Sequence, residues 1–311
     1  MQPLIIISGP TAVGKTALSI KLAKRIGAEI ISADSMQVYR GMDIGTAKIS
    51  TDMMQGIPHH LIDVLDATEA FNIVWFQQMA KACVQDIVSR GKIPLVVGGS
   101  AFYIQALLYD IDFGPGSWDG GAYRAKLEAL VREHDGAYLH ELLMAVDPAA
   151  AAKIHENNVK RTIRALEFYK QSGGPISVHN ETQRQRPSPF DFRYFVLNDD
   201  RQAIYGRIER RVDEMMERGL LDEVRGLKEA GLGCELVSMQ GLGYGELLAH
   251  LDGEMTLDMA VGLIKRNSRR YAKRQLTWFR RERDVIWLDR RDYADDVAML
   301  DAMVNAIPVT P

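Results

Sequence analysis

LIIISGPTAVGKT, residues 4–16, joins a run of apolar residues to a glycine-rich turn, and this junction decides the fold. The pattern G-x-x-x-x-G-K-[ST] lets backbone N–H groups converge on phosphate oxygens, and the helix that follows adds partial positive charge at its N-terminus. Such a loop requires a strand before it and a helix after it, which here would run from Lys15 to about Arg25. The stretch therefore predicts a phosphate-binding loop, for a nucleotide or for another phosphate ester.

Other apolar runs extend this pattern along the chain. They are AEIIS at 28–32, IPLVVGG at 93–99 and FRYFVLN at 192–198. A helical pattern covers 72–90 and is ended by Gly91, and the chain from Arg201 onward reads as helical and increasingly basic. The alternation predicts an α/β fold with a P-loop NTPase-like parallel sheet flanked by helices.

A helical segment interrupts this pattern. The glycine-rich stretch DIDFGPGSWDGG at 110–121 breaks regular structure, and residues 123–172 then show helical periodicity without intervening strands. We therefore expect an α/β core of residues 1–115 and 190–311 and an all-helical insertion of residues 116–189.

Composition narrows the class of protein. The chain has 311 residues, of which 47% are hydrophobic, and a net charge of −3, which is typical of a globular protein. Cys83 and Cys234 lie far apart without Cys or His neighbours at metal-ligand spacing, which argues against a disulfide framework or a zinc site. Neither a secretory signal nor a membrane-spanning run is recognisable, so we expect a cytoplasmic protein without a membrane partner.

Each loop residue has an expected role. Gly9 and Gly14 permit the turn, Lys15 neutralises phosphate charge, and Thr16 offers its hydroxyl to Mg²⁺. The residues expected around the phosphates are Gly9, Pro10, Thr11, Ala12, Val13, Gly14, Lys15 and Thr16. A motor or switch ATPase would carry an acidic residue at the end of a later strand, but IPLVVGGS ends in glycines and Ser100. Arg201, Arg207 and Arg211 precede or lie on one predicted helix. Among them we choose Arg211 for a further contact to the phosphates.

An acidic residue instead follows the second predicted strand. Asp34 comes just after AEIIS, and ligands of open parallel sheets bind outside the carboxyl ends of the strands. A carboxylate beside a phosphate site is suited to orienting or deprotonating a nucleophile. The alternative is that Asp34 caps a turn or helps to hold Mg²⁺ through water.

A basic stretch lies near the C-terminus. Residues 265–283 contain nine Lys or Arg and one acid, Glu282. On a helix, five of these cations would form one stripe: Arg266, Arg270, Lys273, Arg274 and Arg281. The near absence of acids favours binding to nucleic-acid phosphates, whereas Tyr271, Trp278 and Phe279 are expected to anchor the helix to the core.

A series of motifs then points to one family. In order, they are GPTAVGKT at 9–16, DSMQVYRGMDIGTAK at 34–48, IPHHLID at 57–63, PLVVGGS at 94–100, RALEFY at 164–169, GLGYGE at 241–246 and RRYAKRQLTWFR at 269–280. Together they resemble the bacterial tRNA dimethylallyltransferases. The resemblance implies transfer of the prenyl group of dimethylallyl diphosphate to N6 of the adenosine that adjoins the anticodon of tRNA on its 3′ side. The loop would then hold the diphosphate of the donor, with Mg²⁺.

The resemblance also implies roles for individual residues. Asp34 would take the proton of the adenine amine, and Lys15 and Ser100, the latter usually threonine in the family, would complete the catalytic group. The residues expected to contact tRNA are Asp34, Ser35, Met36, Gln37, Ser100, Arg124, Lys160, Arg161, Thr162, Ile163, Arg164, Gly241, Gly243, Tyr244, Arg269, Lys273 and Arg274. Gly245 replaces a lysine that the family usually carries.

Other functions share part of this pattern. An adenylate isopentenyltransferase would use the same loop and Asp34 on a free nucleotide, and a P-loop small-molecule kinase would use Asp34 to activate a hydroxyl. In a non-catalytic RNA-binding module, neither the phosphate loop nor Asp34 would have a function. We expect a monomer, and for His59 and His60 we expect structural hydrogen bonds rather than catalysis.

Overall fold

The computed structural model describes residues 1–114 and 121–307. The strands are β1 (Gln2–Ser8), β2 (Ala28–Ser32), β3 (His59–His60), β4 (Ile93–Gly98), β5 (Phe190–Asn198) and β6 (Val285–Asp289). Within the described residues they form one parallel sheet of six strands in the order β3-β2-β4-β1-β5-β6. The predicted α/β class and parallel sheet are confirmed.

Helices occupy the crossovers between the strands. They are α1 (Lys15–Ile26), α2 (Thr51–Met54), α3 (Ile73–Ser89), α4 (Ala101–Leu108), α5 (Ala122–Glu133), α6 (Gly136–Val146), α7 (Pro148–Ala151), α8 (Val159–Ser172), α9 (Ile176–Arg184), α10 (Arg201–Glu217), α11 (Leu220–Glu229), α12 (Tyr244–Leu251), α13 (Leu257–Phe279) and α14 (Asp296–Ala306). Leu18 and Leu22 of α1 are fully buried among strand residues, as the helical periodicity predicts. Short 3-10 turns lie at Ser238–Gln240 and Arg290–Asp292.

Strand β6 corrects the expectation that the chain is helical after Arg201. It pairs with β5 through Val196 and Trp287 at the edge of the sheet. Its sequence VIWLD is short and flanked by charges, so its apolar residues do not stand out from the surrounding helical pattern. The two-residue strand β3 at the other edge also has no signal of its own.

The chain divides into two compact units. One comprises Met1–Leu108 with the segment from Pro189 onward, and the other is Tyr109–Ser188. The second unit has its own apolar core, which includes Leu127, Leu139 and Leu166. Residue 116, at which the insertion was expected to begin, lies outside the described residues together with the rest of 115–120 in the glycine-rich stretch.

Sheet order brings three loops to one edge of the sheet. Strand β4 lies between β1 and β2, and its Val97 is in register with Ile7 and with Ser32. The loops that follow these strands carry the phosphate-loop motif, Asp34 and Ser100. Carboxyl ends of adjacent parallel strands meet at one edge, so these three groups share one region.

Candidate active site

The loop after β1 requires glycine at two positions. Gly9 has a φ of 142° and Gly14 a φ of 95°, both outside the range that other residues adopt readily. A Cβ on Gly9 would lie 2.6 Å from the carbonyl oxygen of Leu197. The loop leads into the N-terminus of α1, where unpaired N–H groups favour an anion. This geometry is that of a phosphate cradle.

Lys15 curls back over the loop. Its ammonium donates hydrogen bonds to the carbonyl oxygens of Gly9 (3.0 Å) and Pro10 (2.8 Å). Burial and the nearby Arg211 guanidinium lower the pKa of Lys15 to about 7, and the Asp34 carboxylate opposes them. The lysine therefore lies between a cation and an anion, and its charge is sensitive to what else binds there.

Residues distant in sequence brace the phosphate loop. Gln275 of α13 accepts from the Thr11 N–H at 2.9 Å and donates to the Gly99 carbonyl oxygen at 2.9 Å. Arg207 of α10 donates to the Ala12 carbonyl oxygen at 2.8 Å, and Arg290 donates to that of Val13 at 2.9 Å. None of these side chains was singled out for this role, because no local pattern marks a residue whose partner is a remote backbone group.

Asp34 faces the same cavity as the loop. Its Oδ1 accepts from the Met36 N–H at 2.9 Å, which holds the turn after β2. The cavity has a volume of about 770 Å³. Its lining includes Thr11, Ala12, Gly14, Lys15, Thr16, Asp34, Gln37, Gly99, Arg211 and Tyr271. An anion cradle and a carboxylate therefore open onto one space.

Arg211 lies in this cavity, close to the loop. Its Nη1 is 3.4 Å from the Thr11 hydroxyl, and burial lowers its pKa, an effect that Asp34 and Glu214 oppose. A second cation beside Lys15 strengthens the attraction for an anionic ligand. Contact of Arg211 with the phosphates stays a prediction, while Arg207 is engaged by Ala12 and by an ion pair with Asp199.

Tyr271 corrects one sequence expectation. It was expected to anchor α13 to the core, but its ring lines the cavity beside Asp34. Burial raises the pKa of Tyr271 to about 12, Asp34 acts in the same direction, and a hydrogen bond with Ser100 opposes them. The phenol thus stays protonated at neutral pH and links Ser100 to the cavity.

Comparison with known proteins identifies the family. A sequence model of the family described as IPP transferase matches residues 37–282. A protein named tRNA dimethylallyltransferase from Lachnoclostridium phytofermentans is 55% identical over 307 residues, which are 99% of this chain and 98% of that protein. The chain belongs to the IPP transferase family. Another protein of that name, from Geobacillus thermodenitrificans, is 50% identical over 94% of this chain and 91% of its own length.

Solved structures of similar proteins share the fold of this IPP transferase. The full-length tRNA isopentenylpyrophosphate transferase of Bacillus halodurans is 45% identical, with a TM-score of 0.74 over 98% of this chain and 95% of that one. A eukaryotic dimethylallyltransferase acting on tRNA is 30% identical, with a TM-score of 0.82 over all of this chain and 81% of that one. The fold is therefore that of enzymes whose names specify prenyl transfer to tRNA.

The segment that begins at Asp34 contributes Gln37 and Ala47 to the wall of the cavity. The Gln37 amide oxygen accepts from the Ser32 hydroxyl at 3.1 Å, and its nitrogen donates to the carbonyl oxygens of Thr46 (3.3 Å) and Ala47 (3.5 Å). Ser35 and Met36 are partly exposed beside it. The orientation of Gln37 is thus set by its own protein before any ligand arrives.

The GLGYGE segment of this IPP transferase does not offer Tyr244 to a ligand. Tyr244 is 1% exposed, and its hydroxyl donates to Glu223 at 2.7 Å. Gly241 packs against Met36, and Gly243, with a φ of 96°, precedes α12. The Tyr244 ring thus completes the core, and contact of this residue with tRNA stays a prediction.

Only part of the KRTIR pentad is available for contact in the helical unit. Thr162 and Ile163 are buried on the inner face of α8, whereas Lys160 and Arg161 are exposed. The helical period turns the Thr162 and Ile163 side chains inward, and contact of these two residues with tRNA stays a prediction.

Arg124 and Arg164, two of the arginines of the helical unit, have partners within it. Arg164 donates to the Phe113 carbonyl oxygen at 2.7 Å. Arg124 pairs with the buried Glu167, with bonds of 2.9 and 2.5 Å. Both are therefore already engaged, and any contact they make with a ligand must compete with these bonds or use their remaining N–H groups.

Helix α13 carries an exposed basic stripe. Its members on the helix are Arg266, Arg270, Lys273 and Arg274, all exposed and without an ion pair among the described residues. Arg269 instead pairs with Glu209 at 2.6 Å, and Lys265 pairs with Asp213 at 2.6 Å. The stripe therefore contains fewer cations than the nine Lys and Arg residues of 265–283.

The histidine pair has structural partners. His60 hydrogen-bonds to the buried Glu29 at 2.8 Å, and His59 to the Ile57 carbonyl oxygen at 2.8 Å. Arg90 also bonds to Glu29, and these bonds lower the pKa of Glu29 to about 2 despite its burial. The histidines thus help to hold the edge of the sheet.

Within residues 1–114 and 121–307, no three His, Cys, Asp or Glu side chains group as a metal site, and both cysteines are free. No helix of these residues is long and apolar enough to cross a bilayer.

Proposed function

We propose that this IPP transferase moves the dimethylallyl group of dimethylallyl diphosphate to N6 of the adenosine that adjoins the anticodon of tRNA on its 3′ side, with release of diphosphate. The observation that carries the proposal is the single cavity of about 770 Å³ shared by the phosphate loop and Asp34. The names of the bacterial and eukaryotic relatives support the same donor class and acceptor.

In the reaction, the adenine N6 lone pair forms a bond to the allylic carbon while the C–O bond to the diphosphate breaks. The leaving group takes the electron pair of that bond, and the amide N–H groups of residues 12–16 with Lys15 and Arg211 stabilise its charge. The amine loses its proton to Asp34. Ser100 and Tyr271 supply hydroxyl groups that orient the base.

Mg²⁺ fits the residues at the start of α1. The Thr16 side chain is exposed there, next to Lys15, and lines the cavity. Mg²⁺ commonly binds through few protein groups, several waters and the phosphates of the substrate. We propose Thr16 as its protein ligand, and when bound the ion would add positive charge at the diphosphate.

We assign the tRNA surface to the exposed basic stripe of α13 and to Lys160 and Arg161 of the helical unit. Phosphate contacts of such cations position the RNA, and the reacting base must leave its stack to reach the cavity. Asp34, Ser35, Met36 and Gln37 would line the end that receives the adenine. We propose that the protein acts as a monomer, with the helical insertion as its second RNA-binding domain.

Mass spectrometry tests the function directly. Unmodified tRNA is incubated with the protein, dimethylallyl diphosphate and Mg²⁺, and its nucleosides are then analysed. We expect one adenosine to gain the mass of a prenyl group. A prenyl group on free AMP alone would instead identify an adenylate isopentenyltransferase, and ATP consumption without donor would identify a kinase.

A further inference from the structure

The partly buried Glu223 and the buried Tyr244 together bind the backbone of a distant loop. The Glu223 carboxylate accepts from the N–H groups of Asp43 (2.9 Å), Ile44 (2.7 Å) and Gly45 (3.1 Å). The Tyr244 hydroxyl donates to the same carboxylate at 2.7 Å and receives a backbone hydrogen bond from Thr46. Consecutive amides of residues 43–46 thus converge on one carboxylate and one phenol.

Close packing reinforces these hydrogen bonds. A Cβ on Gly45 would lie 2.6 Å from ring atoms of Tyr244, so only glycine leaves room for the ring. A Cβ on Gly241 would lie 2.6 Å from the end of the Met36 side chain. The segment that begins at Asp34 and the GLGYGE segment therefore each supply a glycine at the place where the other supplies a large side chain.

The loop of residues 43–47, which Glu223 and Tyr244 hold, in turn holds Gln37 at the cavity. The carbonyl oxygens of Thr46 and Ala47 receive the two hydrogen bonds from the Gln37 amide nitrogen. Gln37 and Ala47 both line the cavity that contains Asp34. A continuous chain of hydrogen bonds therefore runs from Glu223 through the backbone of residues 43–47 to Gln37.

We propose that Glu223 and Tyr244 are positioning residues for the acceptor base: they fix the loop of residues 43–47, which holds the Gln37 side chain in the part of the cavity wall that receives the adenine. This inference rests on the proposed function. It gives the GLGYGE segment a role inside the protein rather than at the RNA surface. A carboxylate that accepts several backbone hydrogen bonds holds its partners rigidly. Residues that orient a substrate must be held in this way.

The test compares Glu223→Gln and Tyr244→Phe with a control, Glu229→Gln, on the exposed end of the same helix. Steady-state kinetics use an unmodified anticodon stem-loop, and donor affinity is measured by calorimetry. Glutamine presents N–H groups to backbone donors, so we expect kcat/KM for the RNA to fall roughly 10- to 100-fold while donor Kd stays within about twofold. Tyr244→Phe removes one donor and should cause a smaller loss, and Glu229→Gln none.

A double-mutant cycle with Gln37→Ala separates positioning from general stability. If Glu223 acts through Gln37, Glu223→Gln should cost no more than about twofold in the Gln37→Ala background. An equal loss in both backgrounds, or an equal loss of donor affinity, overturns the proposal. If Glu223→Gln does not fold by circular dichroism, Tyr244→Phe carries the same cycle. A wild-type protein without prenyl transfer would instead refute the proposed function.

Discussion

At the scale of single residues, the cavity is defined by charges that influence one another. Lys15 and Arg211 raise the positive potential at the loop, and Asp34 lies near enough to act on both. A free Lys15 with a pKa of about 7 is only partly charged at neutral pH. Diphosphate favours the charged form, so binding of the donor and protonation of Lys15 are coupled.

The first prediction concerns the pH dependence of donor binding. Below pH 7 Lys15 is protonated before the donor arrives, whereas above its pKa of about 7 binding must include uptake of a proton. The donor Kd should therefore rise with pH between 7 and 9, approaching about tenfold per unit. Calorimetry in buffers of different ionisation enthalpy measures the proton uptake. In Lys15→Met the pH dependence should disappear, and an unchanged slope would contradict the assignment.

The second prediction concerns Asp34. Asn can keep the hydrogen bond from the Met36 N–H, but it cannot accept a proton from an amine. Asp34→Asn should lower the single-turnover rate by about 10²- to 10⁴-fold with donor affinity retained. Rapid-quench measurement with saturating tRNA tests this. A variant with wild-type rate would remove Asp34 as the base and favour its role as a turn cap.

At the scale of elements, the phosphate loop depends on parts of the chain that follow it by roughly 200 or more positions. Helix α10, helix α13 and the turn after β6 each contribute one side chain that binds a loop backbone group. A flexible glycine-rich loop is held in one conformation in this way. Because α13 also carries the basic stripe, the same element supports the donor site and the proposed RNA surface.

The third prediction tests this support. Gln275→Leu would leave the Thr11 N–H and the Gly99 carbonyl oxygen without their partner in a buried place. We expect a loss of about 1–3 kcal/mol in unfolding free energy and weaker donor binding. Urea denaturation and calorimetry measure the two effects. Gln202→Leu, at an exposed position of α10, is the control and should change neither.

The fourth prediction distinguishes free from paired cations on α13. Lys273 is exposed, whereas Arg269 is bound to Glu209. Lys273→Gln should weaken tRNA binding and reduce the slope of log K against log salt by about one. Arg269→Gln should change this slope less. Filter binding over a range of salt concentrations gives both values, and equal slopes for the two variants would refute the distinction.

At the scale of the whole molecule, the two units differ in the secondary structure that forms their apolar cores. The core unit contains a parallel sheet with a helix-lined apolar interior. The helical unit has a smaller core, to which α5, α6 and α8 contribute. Within it, the pair of Arg124 and Glu167 joins α5 to α8, with Glu167 buried and Arg124 about half exposed.

The fifth prediction is that Arg124 acts on the stability of the helical unit. Arg124→Ala leaves a buried carboxylate unpaired, and the exposure of Arg124 reduces the expected cost to about 1–2 kcal/mol. Hydrogen exchange should show faster opening of α5 and α8, with no change in the core unit. Arg132→Ala on the same helix is the control. Weaker tRNA binding without any change in exchange would favour direct contact instead.

The sequence by itself determined the fold class, the phosphate loop, Asp34 and the family. These depend on short stretches, in which neighbouring residues form the strand, the turn and the start of the helix, and local patterns report local geometry. The same reasoning does not indicate which residues of a basic pentad are exposed: Thr162 and Ile163 lie within KRTIR, yet helical periodicity turns their side chains inward.

Only the tertiary structure decided which residues complete the site. Thr11 and Gln275 are 264 positions apart, and Glu223 meets Gly45 across 178 positions. These contacts depend on which elements the sheet order brings together. The spacing of residues along the sequence does not indicate a hydrogen bond to a remote backbone group. The sequence thus indicated the chemistry of the site. Tertiary packing determined which side chains hold the residues of the site in position.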